Sequence, residues 1–83
     1  DLAIEIVSHG TEARQRDYHD KRRDYAKAGI AEYWIVDPEV KLITVLVLDS
    51  ETYQDHGCYA SGQIASGVLL PDLRVDVDQV MNA

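Results

Sequence analysis

Two short apolar runs rich in β-branched residues, Leu2 to Val7 and Glu32 to Asp37, are separated by a stretch from Thr11 to Ala28 that contains neither Gly nor Pro. This spacing constrains the fold more than any other feature. Apolar runs of roughly six residues bounded by turn formers have strand length, whereas the stretch between them is charged and rich in Ala, Arg, Lys and Gln. Thr11 is a good N-cap and Gly29 a good C-cap, so the pattern predicts a helix over 12–28. A strand, a helix and a strand with connections this short form a β-α-β unit, whose strands are parallel and joined by a right-handed crossover.

After the second strand, the Pro38-Glu39 turn and the apolar run inside Lys41 to Asp49 predict a third strand, antiparallel to the second. The remainder carries weaker signals. Thr52 to His56 and Tyr59 to Ala65 alternate enough for two short strands, with Gly57, Gly62 and Gly67 marking turns. Val75 and Val77 end a last strand, and Asp78 caps a helical turn through Met81. The fold class is therefore α/β, with a mixed sheet, and 83 residues make one small domain or a piece of one. The chain opens on Asp1 and runs straight into a strand, which is how a cut through a larger protein reads.

No apolar run approaches the ~20 residues that span a bilayer, so no membrane partner is expected. Cys58 is the single cysteine and no Cys/His pair has zinc-ligand spacing, which leaves a reducing cytoplasm as the expected location. The net charge of -7 opposes a phosphate backbone at long range. The distribution softens that conclusion, because six of the eight basic residues (Arg14, Arg16, Lys21, Arg22, Arg23 and Lys27) fall within one stretch. Acidic neighbours Glu12, Asp17, Asp20 and Asp24 sit at helical pairing distances, so a solvated, salt-bridged face is the simpler expectation for the arginines.

Glu5 is the most informative residue. A carboxylate among Ile4, Ile6 and Val7 either reaches water at the strand's end or is held by a cation. Lys21 shares a predicted helix face with Tyr18 and Tyr25. That lysine is either a snorkelling surface residue or, if the face lies over the strand, an ammonium delivered to Glu5. Tyr33 and Trp34 alternate faces of one strand, with core packing the expected use of Trp34. His9 follows the first strand in a turn, where a histidine is more often solvated than bound to phosphate.

The string Asp1-Leu-Ala-Ile-Glu5-Ile-Val-Ser8, then Asp17, Lys21, Tyr25 and Ala28-Gly29-Ile30, then Glu32-Tyr33-Trp34-Ile35-Val36-Asp37-Pro38, resembles the Uma-two-like restriction endonuclease family of the PD-(D/E)XK nuclease superfamily. Leu69-Leu70-Pro71-Asp72-Leu73 is similar to that family's C-terminal segment, so the resemblance covers nearly the entire chain. It implies a restriction-endonuclease-like mixed sheet and a metal-dependent endonuclease hydrolysing DNA, with Mg²⁺ as cofactor. It assigns Glu5 and the backbone carbonyl of Ile6 to the metal, and Lys21 to the attacking water. Lys21 then replaces the lysine that the family pattern has two residues after the Glu, where this chain has Val7. Tyr25 and Asp1 are accessory candidates, although Asp1 lies roughly 13 Å along the strand from Glu5.

The family's other metal-binding Asp lies on an upstream strand, so this chain is expected to be the C-terminal half of the domain and inactive alone. If the nuclease reading holds, Glu5 and Lys21 are expected to converge at the strand's C-terminal end, close enough for a metal and a water between them. Without the upstream segment the Glu5 strand exposes a sheet edge, which predicts homo-oligomers. The competing expectation is a non-catalytic structural or protein-interaction domain that keeps the fold.

Overall fold

The apolar runs form a four-stranded mixed sheet of β1 (Leu2–Ile6), β2 (Glu32–Asp37), β3 (Leu42–Asp49) and β4 (Thr52–Tyr59), in the spatial order β1-β2-β3-β4. The computed structural model describes residues 1–8 and 10–82, so His9 lies outside the described residues. β1 runs parallel to β2, with Leu2 opposite Glu32 and Ile6 opposite Val36. β2 and β3 pair antiparallel through a tight turn in which Lys41 takes a left-handed φ of 57°. The expected β-α-β unit and hairpin are both present.

The crossover is one helical run with a wide turn inside it: α1 (Thr11–Gln15), a π-helical turn (Arg16–Asp20) and α2 (Lys21–Lys27). Thr11 does not cap it. Gly10, with φ 113°, precedes the first turn, and no side chain accepts from the helix start. The far end closes as expected: Gly29 adopts φ 76°, its N–H reaches the Ala26 carbonyl, and the Ile30 N–H reaches the Tyr25 carbonyl. Glycine suits that left-handed position because it has no Cβ to clash. Tyr18 and Tyr25 share the face that packs on the sheet, as their spacing predicts, but their hydroxyls reach different acids. Tyr18 donates to Asp37 and Tyr25 to Glu5.

Alternation along β2 divides the core into two layers. Trp34 and Val36 face one side, with Ile43, Val45, Ala65 and Val77; Tyr33 and Ile35 face the other, with Val7, Leu46 and Tyr53. Tyr18, Tyr25 and Ala26 of the helical run pack on the second layer. Trp34 is a core residue, 1% exposed. The first layer is closed by the β5 (Ile64–Ser66) and β6 (Arg74–Asp76) pair and by α3 (Val77–Met81).

Three expectations in this half need correction. β4 runs unbroken through Gly57, because a bulge absorbs the irregularity: Val45 faces Gly57 while Leu46 faces Asp55, leaving His56 as the extra residue. The break falls at 60–63 instead, and the following strand is only three residues long. The cap of α3 is Asp76, whose carboxylate accepts the N–H groups of Asp78 and Gln79. Asp78 instead accepts from the Ser61 hydroxyl and the Gly62 N–H.

β1 is an edge strand, pairing with β2 alone among the described residues. Leu2 packs on the Trp34 layer, and alternation puts Ile4 and Ile6 on the same face, where they remain 50% and 66% exposed.

Candidate active site

Glu5 stands on the helix-covered face of β1, and the second half of the helical run brings two side chains to it. The Lys21 Nζ lies 2.9 Å from Glu5 Oε2, and the Tyr25 hydroxyl donates to Glu5 Oε1 at 2.5 Å. Lys21 and Tyr25 are four residues apart and therefore neighbours on the helix surface. The Tyr25 ring packs edge-on against Tyr33, at 5.0 Å between centroids, which fixes it against the core. Of the two readings of Glu5, the cation-held one is the one observed.

A third ionic group completes the cluster. Asp17, one turn before Lys21, is 2% exposed, and its Oδ1 lies 3.4 Å from Lys21 Nζ. That oxygen makes no regular hydrogen bond. The Asp17 carbonyl accepts the Tyr33 hydroxyl at 2.8 Å, so the core holds this turn in place. Asp17 is thus not part of a solvated face, as its arginine neighbours suggested. It is the buried residue of the wide turn.

Electrostatics reinforces the geometry. The hydrogen bond from Tyr25, then that from Lys21, hold the Glu5 carboxyl below its ordinary value. The same contacts with Glu5 raise Lys21 and Tyr25. Near neutral pH, Glu5 is a carboxylate and Lys21 an ammonium. They touch directly, so the two groups converge at this strand.

The remaining candidates divide. Asp1 is exposed, and its carbonyl accepts the Glu32 N–H at 3.3 Å. The Asp1 carbonyl and the Val7 N–H both bond to β2, so by alternation the Ile6 carbonyl points to the unpaired side of β1. Glu5 and that carbonyl are suitable hard donors for Mg²⁺, which takes oxygen ligands and keeps several waters. They supply part of a site: among the described residues, no group of three or more His, Cys, Asp or Glu side chains is placed to hold a metal.

Two other buried acids escaped the sequence reading. Asp37 is fully buried and paired with Arg14 and Tyr18, with the Glu39 N–H on its second oxygen. Glu32, 1% exposed, accepts from the Trp34 indole and from the N–H groups of Val68 and Leu69. Neither is free to take a ligand. A cavity of about 910 Å³, lined by His19, Arg22, Arg23, Lys27 and Tyr53 among others, opens between the helix and the β3–β4 turn, and none of Glu5, Asp17 or Lys21 lines it. The arginines are split between targets: Arg23 pairs with Asp20 and Asp24, as a solvated face would, whereas Arg22 reaches Asp55 and the Tyr53 carbonyl.

The family model Uma2, described as "Putative restriction endonuclease", matches residues 1–78. The chain belongs to the Uma2 family. Its mixed sheet with a β-α-β unit is that of a restriction-endonuclease-like fold, and the Uma2 match spans every element through the start of α3. No curated protein matches the chain. No helix among the described residues is long and apolar enough to cross a membrane.

Proposed function

We propose that this Uma2 chain is the C-terminal half of a metal-dependent endonuclease domain that hydrolyses DNA phosphodiester bonds. The observation that carries this reading is the contact of Lys21 with Glu5, a strand carboxylate and a helix ammonium 2.9 Å apart in a chain of a restriction endonuclease family. Glu5 and the Ile6 carbonyl would hold Mg²⁺, with a further carboxylate supplied from outside residues 1–83. A bound Mg²⁺ lowers the pKa of water and neutralises phosphate charge. Tyr25 orients the Glu5 carboxylate. Lys21, charged and one contact away, faces the charge that develops on the phosphate as water attacks, the kind of preorganised cation that stabilises such a transition state.

The test supplies the upstream segment from the parent reading frame and follows cleavage of plasmid DNA with Mg²⁺ or Mn²⁺. Glu5→Gln is expected to abolish cleavage and Lys21→Ala to slow it by about a hundredfold, since one stabilising group is worth roughly 3 kcal/mol of barrier. If calorimetry detects no divalent-ion binding, or Glu5→Gln leaves cleavage unchanged, the nuclease reading is withdrawn. The second reading, a non-catalytic interaction domain, is favoured by the exposed β1 edge and by the absence of a three-donor group among the described residues.

A further inference from the structure

We infer that Asp17 is a positioning residue that holds the Lys21 ammonium in the site when Glu5 turns to a metal ion. The inference rests on the assignment of Glu5 as a metal-binding carboxylate and adds a residue to that site. Lys21 lies between two carboxylates, with Nζ 2.9 Å from Glu5 Oε2 and 3.4 Å from Asp17 Oδ1. The two acids differ in what they can do. Glu5 is a quarter exposed at the sheet edge, where an ion and its waters can reach it. Asp17 is closed off, with a side chain 3% exposed.

A buried carboxylate oxygen without a hydrogen-bond partner is costly, so its persistence calls for a reason. Here the oxygen faces the one group that must stay in place when Glu5 is engaged elsewhere. A modest shift from 3.4 Å gives Asp17 a full charge-assisted hydrogen bond to the ammonium as Glu5 releases it. Asp17 is the buried residue of the π turn, one helical step from both Ala13 and Lys21 on the inward face. The Tyr33 hydroxyl on the Asp17 carbonyl, from the fully buried core, keeps that turn from relaxing. π turns inside helices occur frequently at functional sites, and this one sits directly beside the cluster.

The test has two independent arms. In the 83-residue chain, lysine-selective NMR of side-chain ammonium groups follows Lys21 at low temperature. A held ammonium gives a slowly exchanging signal. With Glu5→Gln standing for an engaged Glu5, the signal is expected to persist, and in Glu5→Gln/Asp17→Asn it is expected to vanish, with circular dichroism confirming that each variant is folded. Loss of the signal in Glu5→Gln alone overturns the inference. So does its persistence in the double variant, or its absence from the unmodified chain. Should the Asn variant not fold, Asp17→Ser takes its place.

The second arm uses the cleavage-competent parent in a double-mutant cycle. Asp17→Asn is expected to slow single-turnover cleavage by about tenfold, the effect of one charge-assisted hydrogen bond, with the metal concentration for half-maximal rate unchanged. In a Lys21→Ala background, Asp17→Asn is expected to cost nothing further. Equal losses in both backgrounds mean that Asp17 is only structural. The NMR arm needs neither metal nor DNA, so failure of the nuclease reading and failure of the Asp17 role give different results.

Discussion

Replacing Glu32 with Ala would remove the acceptor of three hydrogen bonds, two of which tie β2 to the segment at Val68 and Leu69. The Trp34 indole donates to one carboxylate oxygen at 2.7 Å, and the Val68 and Leu69 N–H groups donate to the other at 2.7 and 3.0 Å. Val68 and Leu69 are half exposed, so their amides regain water after the substitution. Trp34, 1% exposed, leaves its indole N–H stranded. A stranded buried donor costs about 1–3 kcal/mol, and two amides that exchange a charged acceptor for water lose about 1 kcal/mol each. The sum is about 3–5 kcal/mol, against a total stability of roughly 4–12 kcal/mol for a chain of this size. Urea unfolding followed by far-UV circular dichroism is the assay, because Trp34 is the single tryptophan and is itself replaced in one background, and the midpoint is expected to fall by roughly 3–5 M at an m-value near 1 kcal/mol/M. Trp34→Phe removes the stranded donor, so in that background Glu32→Ala should cost about 1–3 kcal/mol less. A loss below about 0.5 kcal/mol for Glu32→Ala, or full additivity with Trp34→Phe, would refute the reasoning.

The pH dependence follows from the same acids. Burial pushes the Glu32 and Asp37 carboxyls up, but their hydrogen bonds outweigh it and hold both below their ordinary values. A carboxyl with a lowered folded pKa stabilises the fold fully above its unfolded pKa and loses that contribution as pH falls through the folded one. Stability is therefore expected to be level from pH 7 to about 5 and to fall steadily below about 4.5, with Glu32→Gln flattening part of that fall; a profile unchanged by Glu32→Gln rejects the assignment. The unpaired β1 edge, with Ile4 and Ile6 half or more exposed beside it, is expected to pair with a second copy. Sedimentation should show dimers that dissociate on Ile6→Lys, and a well-behaved monomer at tens of micromolar would count against this edge as an association surface.

The β-α-β unit and its hairpin were legible because local signals and tertiary placement agree there: strand-length runs, a stretch free of Gly and Pro, and a glycine in the left-handed position at the helix end. Glu5, Lys21 and Tyr25 followed from the resemblance, and the structure joins them. Asp17 belonged to the same resemblance, but its burial was not legible, because arginines at helical spacing make any acid look solvated. Gly57 misled in the opposite direction, since a glycine inside a strand marks a bulge as readily as a turn. Glu32 could not be understood locally at all, because its backbone partners lie 36 and 37 residues further on.

β2 is buried at all six of its positions, with no side free for water. Three side chains fill each face, and its outermost residues are acids matched to particular donors. Under random substitution this hexapeptide should therefore form the longest uninterrupted block of intolerance among the described residues. Most helices and edge strands accept change at every second or third codon. Here drift has no such outlet, and divergence among functional copies should accumulate on either side of Glu32 to Asp37 while leaving the segment itself nearly unchanged.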